Sequence, residues 1–255
     1  MLLREVMYNL INWSENIYYV CVSYIFIDKM VINLLNLFFP QVCLACDDFL
    51  IDNEKYICTN CRNELSVTEF HSEDNNAVAK RLYGRVNFQN ATSLFWFNKK
   101  GKVQHLIHSL KYKGHEEVGE FLGKWLGEEL SQLDTYKSVE VVVPVPLHRS
   151  KLRKRGYNQV DKFGQEIAKA LHVEFNSDVL VKTKATGTQV FKDRLKRLLT
   201  HEEDFSIADV NSLKNKHILL VDDIITTGAT IEACVNQLLM IEGVKISVAT
   251  MAIAE

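Results

Sequence analysis

The stretch of sequence that decides the fold reads Ile218-Leu219-Leu220-Val221-Asp222-Asp223-Ile224-Ile225-Thr226-Thr227-Gly228-Ala229-Thr230. Its apolar start at residues 218–221 predicts a buried strand. Apolar residues at helical spacing after the glycine predict a helix, and these are Ile231, Val235, Leu238 and Leu239. A buried strand that passes through a glycine turn into a helix is typical of a parallel sheet covered by helices.

The loop of this stretch combines two kinds of chemistry. Small residues before a helix let backbone N–H groups bind a phosphate, and the hydroxyl groups of Thr226 and Thr227 add donors. Asp222 and Asp223 would repel a phosphate, but ionised carboxylates accept hydrogen bonds from sugar hydroxyls. A sugar phosphate satisfies both halves of the motif. Both carboxylates reach one sugar only if the strand ends at this pair, and the sequence leaves that open.

Two other interpretations of the stretch were compared with this one. The first is a strand that ends in exposed acids before a threonine-capped helix, with no ligand. The second is the acidic strand end of a nucleotide hydrolase, which requires the motif G-x-x-x-x-G-K-[ST]. Gly101-Lys102 is followed by Val103, Gly123-Lys124 is followed by Trp125, and the chain contains no G-x-G-x-x-G motif. Both kinds of nucleotide-binding loop are therefore excluded.

The rest of the chain alternates between helical and strand patterns. Helical spacing of apolar residues begins at Val103, at Val118 and at Tyr157. Strand-like runs cover residues 86–97, 139–143 and, more weakly, 173–181, and a last strand alternates through Val244, Ile246 and Val248. The alternation predicts an α/β fold with a mostly parallel sheet and helices on both faces. Because ligands bind beyond the carboxyl ends of such strands, we expect the site in the loops after Val143 and Val221.

Four cysteines predict a metal site. They form two C-x-x-C pairs, Cys43 with Cys46 and Cys58 with Cys61, separated by eleven residues. Two such pairs brought together close a tetrahedral site of the kind that holds structural zinc. Two redox dithiols or two disulfides are the alternatives, and the duplication at this spacing argues against them. Four protein ligands leave no open position, so the metal is expected to be structural and not catalytic.

The composition is that of an ordinary globular protein. Apolar residues make up 47% of the 255 residues and the formal net charge is −2, so any site for a polyanion must be local. Residues 1–39 contain neither the ~20 consecutive apolar residues of a spanning helix nor a secretory signal. We expect a lead-in at residues 1–39, of which residues 1–29 are dispensable, then a zinc ribbon at residues 40–66 and one larger domain at residues 67–255.

These motifs carry a resemblance to known proteins. Residues 221–230 resemble the signature of type I phosphoribosyltransferases, which bind phosphoribosyl pyrophosphate (PRPP). With the cysteine pairs, three further motifs resemble the ComF/GntX group, in which a zinc ribbon precedes a phosphoribosyltransferase domain and some members are late competence proteins: Leu110-Lys111-Tyr112-Lys113-Gly114, Val143-Pro144-Val145-Pro146-Leu147-His148 and Arg155-Gly156-Tyr157-Asn158-Gln159. The resemblance covers about residues 31–255. It implies a type I phosphoribosyltransferase-like fold preceded by a small four-cysteine zinc ribbon.

The resemblance also implies roles for individual residues. Asp222 and Asp223 would hold the ribose hydroxyls. The 5-phosphate would be bound by Thr226, Thr227, Gly228, Ala229 and Thr230, and pyrophosphate would meet the loop formed by Pro144, Val145, Pro146, Leu147 and His148. Thr188, Gln189 and the cations Lys192, Arg194, Lys196 and Arg197 fall where a hood would cover the site, and Thr200 stands where the family has an asparagine.

The implied activity is transfer of ribose 5-phosphate from PRPP to an unidentified acceptor, with release of pyrophosphate. Arg149, Arg155 and Gln189 are the candidate catalytic residues, Mg²⁺ is expected with PRPP, and His148 and His217 are candidate bases by position only. The alternative is a non-catalytic protein that binds PRPP or single-stranded DNA beside a helicase-type partner in DNA uptake, since basic runs suit either polyanion. A cytoplasmic protein without a membrane span is expected in both cases.

Overall fold

The computed structural model describes residues 40–182 and 205–255. The predicted lead-in at residues 1–39 and the predicted hood, including Thr188, Gln189, Arg194, Arg197 and Thr200, lie outside these ranges. The chain forms two compact units, one of residues 1–43 and 47–58 and the other of residues 44–46 and 59–255. In the described ranges, no helix combines the length and the apolar character that a membrane crossing requires.

Helices and strands alternate along the larger unit. In chain order, the described elements are α1 (Thr59–Glu64), α2 (Ala77–Leu82), β1 (Ala91–Phe97), α3 (Lys102–Tyr112), α4 (Glu117–Ser131), β2 (Val141–Pro144), α5 (Arg149–Arg155), α6 (Asp161–Leu171), β3 (Glu174–Phe175), β4 (Leu180–Lys182), β5 (Phe205–Ile207), β6 (His217–Ile225), α7 (Ala229–Leu238) and β7 (Lys245–Ala254). Short 3₁₀ turns lie at Phe70–Ser72, Asp134–Tyr136 and Asn211–Leu213.

Five of the strands form a parallel sheet. Their order is β1-β7-β6-β2-β3, and every adjacent pair runs parallel. Strands β4 and β5 pair antiparallel in a separate two-stranded sheet. The central strand β6 is buried from His217 to Asp223, as expected for a strand whose two faces are both covered. The predicted α/β fold with a mostly parallel sheet is confirmed.

Helices cover both faces of this sheet. On one face, Ile218 and Leu220 belong to an apolar cluster that contains Val235 and Leu238 of α7. On the other face, Val221 packs against α6. A Cβ added at Gly164 of α6 would lie only 3.1 Å from the Cγ2 methyl group of Val221. Side chains alternate along a strand, so β6 presents successive residues to the two helical layers in turn.

Three glycines bring α4 and α6 unusually close together. Gly119, Gly123 and Gly127 recur every fourth residue and form one stripe along α4. A Cβ at Gly123 would lie 2.5 Å from the carbonyl oxygen of Phe163, so the absence of a side chain sets the separation of the two helices here.

Three parts of the fold differ from the sequence predictions. The loop was expected after Val221, but β6 continues to Ile225, so both aspartates lie inside the strand. The segment Arg149–Arg155 was expected to be a loop, but it is a helix, α5. None of its residues is buried, so its sequence contains no apolar stripe from which a helix could be predicted. The weak strand at residues 173–181 is two short strands, β3 and β4.

The described part of the smaller unit, at residues 40–43 and 47–58, folds tightly around Cys43. The amide of Cys43 donates to the carbonyl oxygen of Asp48 (2.7 Å), and Val42 pairs with Phe49 in an antiparallel bridge. The amide of Cys58 donates to Sγ of Cys43 (3.3 Å), an N–H to sulfur contact that favours the thiolate form of the ligand. The backbone of this unit is therefore folded around its sulfur atoms.

Candidate functional site

The candidate site lies at the carboxyl edge of the sheet. Strand β2 ends at Pro144 and the neighbouring β6 ends at Ile225, and the two strands are in register from Val141 opposite Ile218 to Pro144 opposite Val221. The segment that follows β2 therefore leaves the sheet beside Asp222, while β6 continues to Ile225. This is the edge at which ligands bind in parallel α/β sheets.

Two arginines hold the loop after β6 from one side. Arg81 Nη1 donates to the carbonyl oxygen of Thr226 (2.7 Å), and Arg85 donates to the carbonyl oxygen of Thr227. The C=O and N–H groups of one trans peptide point in opposite directions, so the N–H groups of Thr227 and Gly228 point away from the arginines. Backbone N–H groups that directly precede a helix are of the kind that binds phosphate.

The two aspartates lie on opposite faces of β6. Asp223 reaches the side of α6, where its Oδ2 accepts a hydrogen bond from Gln159 Nε2 (2.6 Å). The alternation along the strand directs Asp222 to the side of α7, and its Oδ1 accepts from the amide of Asp223 (2.8 Å). Both are buried, with 8% and 7% of their surfaces exposed. The two carboxylates thus differ in the side of the strand that they face and in their hydrogen-bond partners, although they are adjacent in the sequence.

Asp223 is the centre of a charged network. Lys111 Nζ lies 2.9 Å from its Oδ2, and Gln159, which also donates to that oxygen, accepts a hydrogen bond from Arg155. The Arg155 guanidinium in turn lies over the ring of Tyr112, 5.5 Å from its centroid. Two motifs that are some 45 residues apart in the sequence, around Lys111 and around Arg155, therefore meet at one carboxylate.

A cationic cavity of about 300 Å³ opens beside this network. Its lining residues are Lys111, Tyr112, Gly114, Lys151, Lys154, Arg155 and Tyr157. Four of these seven residues are basic and two are aromatic. The hydroxyl of Tyr157 donates to the carbonyl oxygen of Leu110, and burial raises the pKa of this phenol, which keeps it in the donating form. The cavity suits a ligand with several negative charges.

The residues expected to meet pyrophosphate do not line this cavity. Pro144 and Val145 are buried, and the side chain of His148 accepts a hydrogen bond from the amide of Ser150 (3.2 Å) and so caps α5. Of the candidate catalytic residues, Arg155 lines the cavity, the exposed Arg149 does not, and Gln189 lies outside the described residues.

Two further titratable groups lie at the starts of β6 and α6, of which His217 is buried and Asp161 is half-buried. His217 begins β6 at the opposite edge of the sheet, between the hydroxyls of Ser138 and Ser247 (2.9 Å each), and burial lowers its pKa. It is too far along the strand to serve the candidate site. Asp161 begins α6, and burial raises the pKa of its carboxyl to about 6.

The four cysteines form a second, separate site. One ligand atom from each of Cys43, Cys46, Cys58 and Cys61 lies within 4.8 Å of all the others. A tetrahedral zinc ion with bonds of about 2.3 Å requires sulfur atoms roughly 3.8 Å apart, so the cluster fits a structural zinc. Lys102 of α3 pairs with Glu64 of α1 (2.6 Å), and its pKa is raised by that hydrogen bond and by the Cys61 sulfur.

Sequence reasoning assigned no role to several residues that the fold brings to the site. Lys111 and Gln159 belong to motifs that carried the resemblance, but only the fold shows that they share an oxygen of Asp223. Arg81 and Arg85 had no signal beyond their helical spacing of four residues.

Comparisons with known families agree with this architecture. A family model described as "Double zinc ribbon domain" matches residues 34–71, and one described as "Phosphoribosyl transferase domain" matches residues 162–255. The parallel sheet, the helical layers and the cysteine cluster thus form a type I phosphoribosyltransferase-like fold with a zinc site at its N-terminal side.

Three curated proteins illustrate the similarity. "DNA utilization protein YhgH" of Escherichia coli K12 is 30% identical over 54% of this chain and 61% of its own length. "Competence protein F" of Haemophilus influenzae is 35% identical over 37% of this chain and 42% of its own, and "Competence protein ComFC" of Bacillus subtilis is 23% identical over 78% and 88%. The matched region thus spans about three fifths of the E. coli protein. These matches confirm the resemblance to the group in which a zinc ribbon precedes a phosphoribosyltransferase domain.

Proposed function

We propose that this protein binds Mg-PRPP at the carboxyl edge of its sheet and transfers ribose 5-phosphate to an acceptor. The observation that carries the proposal is the order of groups along that edge: the loop N–H groups before α7, then Asp222 and Asp223, then the cationic cavity. PRPP presents a phosphate, a ribose and a pyrophosphate in the same order. We also propose that residues 40–66 act as the zinc ribbon and residues 67–255 as the catalytic domain.

Each part of the edge would have one task. The N–H groups of Thr227 and Gly228 and the first turn of α7 would bind the 5-phosphate, with the hydroxyls of Thr226, Thr227 and Thr230 as further donors. Because β6 continues past the aspartate pair, only Asp223 shares a face with the cationic cavity, and its carboxylate would accept hydrogen bonds from the ribose hydroxyls and so fix the sugar relative to the leaving group.

The cavity beside Asp223 would hold the pyrophosphate. Negative charge develops on this group as its bond to C1 of the ribose breaks, and fixed cations next to it stabilise that charge. Lys151, Lys154 and Arg155 line the cavity and are the candidates for this role, so Arg155 keeps the catalytic role expected from the sequence.

Mg²⁺ is the cofactor that such a site would use. When bound to pyrophosphate oxygens, it would neutralise part of the charge of the leaving group. The carboxylates of Asp222 and Asp223 are oxygen donors of the type that this hard cation prefers, so the residues present fit the ion.

A second function is supported by one observation. Helix α5 carries five cations among its seven residues and buries none of them, so it contributes charge rather than core packing. Single-stranded DNA would suit such an element, and the names of the similar proteins refer to DNA utilization and competence. In this alternative the protein is a non-catalytic partner in DNA uptake, beside a helicase-type protein.

Calorimetric titration of Mg-PRPP tests the first proposal. We expect micromolar to millimolar affinity for the parent protein. Asp223→Asn should weaken binding about 10- to 100-fold, because each charge-assisted hydrogen bond contributes roughly 1.5–3 kcal/mol. Asp209→Asn is the matched control, since Asp209 is an exposed turn residue whose Oδ1 accepts backbone N–H bonds that an asparagine can also accept.

Pyrophosphate release completes this test. Release from PRPP in the presence of a panel of bases and amines would identify the acceptor and establish catalysis. If the parent and Asp223→Asn proteins bind Mg-PRPP alike, the phosphoribosyl site is refuted. DNA binding that falls steeply with salt and ignores Mg-PRPP would then favour the alternative.

A further inference from the structure

Lys111 connects the two halves of the proposed PRPP site. It lies in the last turn of α3, its side chain is 21% exposed, and it lines the cationic cavity. The same ammonium group lies 2.9 Å from Oδ2 of Asp223, whose side chain is 10% exposed. A lysine that faces an anion cavity is thus paired with a carboxylate that would serve the ribose.

The contact neutralises an oxygen that the ribose needs. Oδ2 of Asp223 accepts from Lys111 and from Gln159 at 2.6 Å, so both of its lone-pair directions are taken. A ribose hydroxyl that approaches Asp223 competes with an ammonium group, which is the stronger donor. A neutral sugar provides no negative charge that could replace the carboxylate as the partner of Lys111.

Pyrophosphate does provide a negatively charged partner for Lys111. The lysine side chain is a flexible stem with a rotatable donor head, so Lys111 can turn from Asp223 toward an anion in the cavity that it already lines. Lys151, Lys154 and Arg155 attract that anion to the cavity, and its charge exceeds that of one carboxylate.

We propose that Lys111 is a specificity-determining residue, which keeps Asp223 closed to ribose phosphates that carry no pyrophosphate and opens it to PRPP. This inference rests on the proposed function. It predicts opposite effects of one substitution on two ligands, which a merely structural lysine would not produce. Loss of a general attraction for anions would weaken both ligands together.

The test is calorimetric titration of Lys111→Met with ribose 5-phosphate and with Mg-PRPP. We expect the affinity for ribose 5-phosphate to rise about 10-fold and that for Mg-PRPP to fall about 10-fold, the range of one charge-assisted hydrogen bond. Lys111→Arg retains the cation and should keep the selectivity of the parent within a few fold. Lys113→Met, two residues further on and exposed, should behave as the parent does.

A double variant tests whether the effect of Lys111→Met depends on the contact between Lys111 and Asp223. In an Asp223→Asn background, Lys111→Met should no longer improve binding of ribose 5-phosphate, because the oxygen that it releases has lost its charge. If Lys111→Met weakens both ligands, or if Lys111→Arg behaves like Lys111→Met while remaining folded, the inference is overturned. Failure of the parent to bind Mg-PRPP would instead overturn the proposed function.

Discussion

Gly228 holds a backbone conformation that other residues avoid. Its φ is +81°, in the left-handed region, and it stands immediately before α7. A Cβ at this position would lie 3.1 Å from Leu82 Cδ2 and 3.2 Å from Arg85 Nη1. Arg85 is the group that fixes the carbonyl of Thr227, so a side chain at residue 228 would disturb the loop through this contact as well as through its own backbone.

We therefore expect Gly228→Ala to damage both stability and phosphate binding. The positive φ costs about 1–2 kcal/mol in a denaturation experiment, and ribose 5-phosphate binding should fall at least about 10-fold. Gly243→Ala is the control, because Gly243 also has a positive φ and a Cβ there would meet Asn215, but it precedes β7 at the other edge of the sheet. If Gly243→Ala loses as much binding as Gly228→Ala, the effect is one of stability alone.

The residue scale also shows which features a sequence can predict and which it cannot. Asp222, Asp223 and the loop after them are adjacent in the chain, so local chemistry was enough to suggest a sugar phosphate. The partners of Asp223 are distant in the chain, with Lys111 more than a hundred residues before it. No spacing rule connects such positions, and only the order of strands in the sheet does so.

At the scale of elements, apolar periodicity predicted the four helices of ten or more residues and missed the three shorter ones in the described ranges. Helices α3, α4 and α6 each carry an apolar face, and all three were expected. Helix α5 has no buried residue, so it left no pattern to detect. The end of β6 was misjudged because aspartates are depleted from strands, and here the network around Asp223 overrides that preference.

The glycine stripe of α4 gives a prediction at the same scale. Gly123→Ala should destabilise the protein by about 1–3 kcal/mol despite the better helix propensity of alanine, because the added Cβ would lie 2.5 Å from a backbone oxygen of α6. Gly119→Ala should stay within about 1 kcal/mol of the parent, since its nearest neighbour is the side chain of Lys162 at 3.2 Å. Urea denaturation measures both, and equal stability of the two variants would contradict the close packing.

At the scale of the whole molecule, we expect that the metal site can be lost without unfolding the larger domain. We expect one zinc per chain in freshly purified protein and its loss in Cys61→Ser, with increased hydrogen exchange across residues 40–66, because structural zinc contributes roughly 10–16 kcal/mol to small modules. Cys234→Ser is the control, as this cysteine is buried in α7 outside the cluster and should leave the metal content unchanged. Zinc-free parent protein that folds normally would refute a structural metal.

The strand order also has a consequence in time. Strand β1 pairs with β7 and with no other strand of its sheet, and Ala91 lies opposite Val248, more than 150 residues later in the chain. At a synthesis rate of about 5–20 residues per second, β1 emerges from the ribosome roughly 8–30 seconds before its partner exists. During that interval the apolar Leu94 and Phe95, which are buried in the finished sheet, have beside them only the short segment at residues 66–68, whose Val67 bridges Phe95. For most of the synthesis of the chain, β1 therefore exposes apolar side chains and an unpaired strand edge. Chaperones that bind unfolded chains recognise surfaces of this kind.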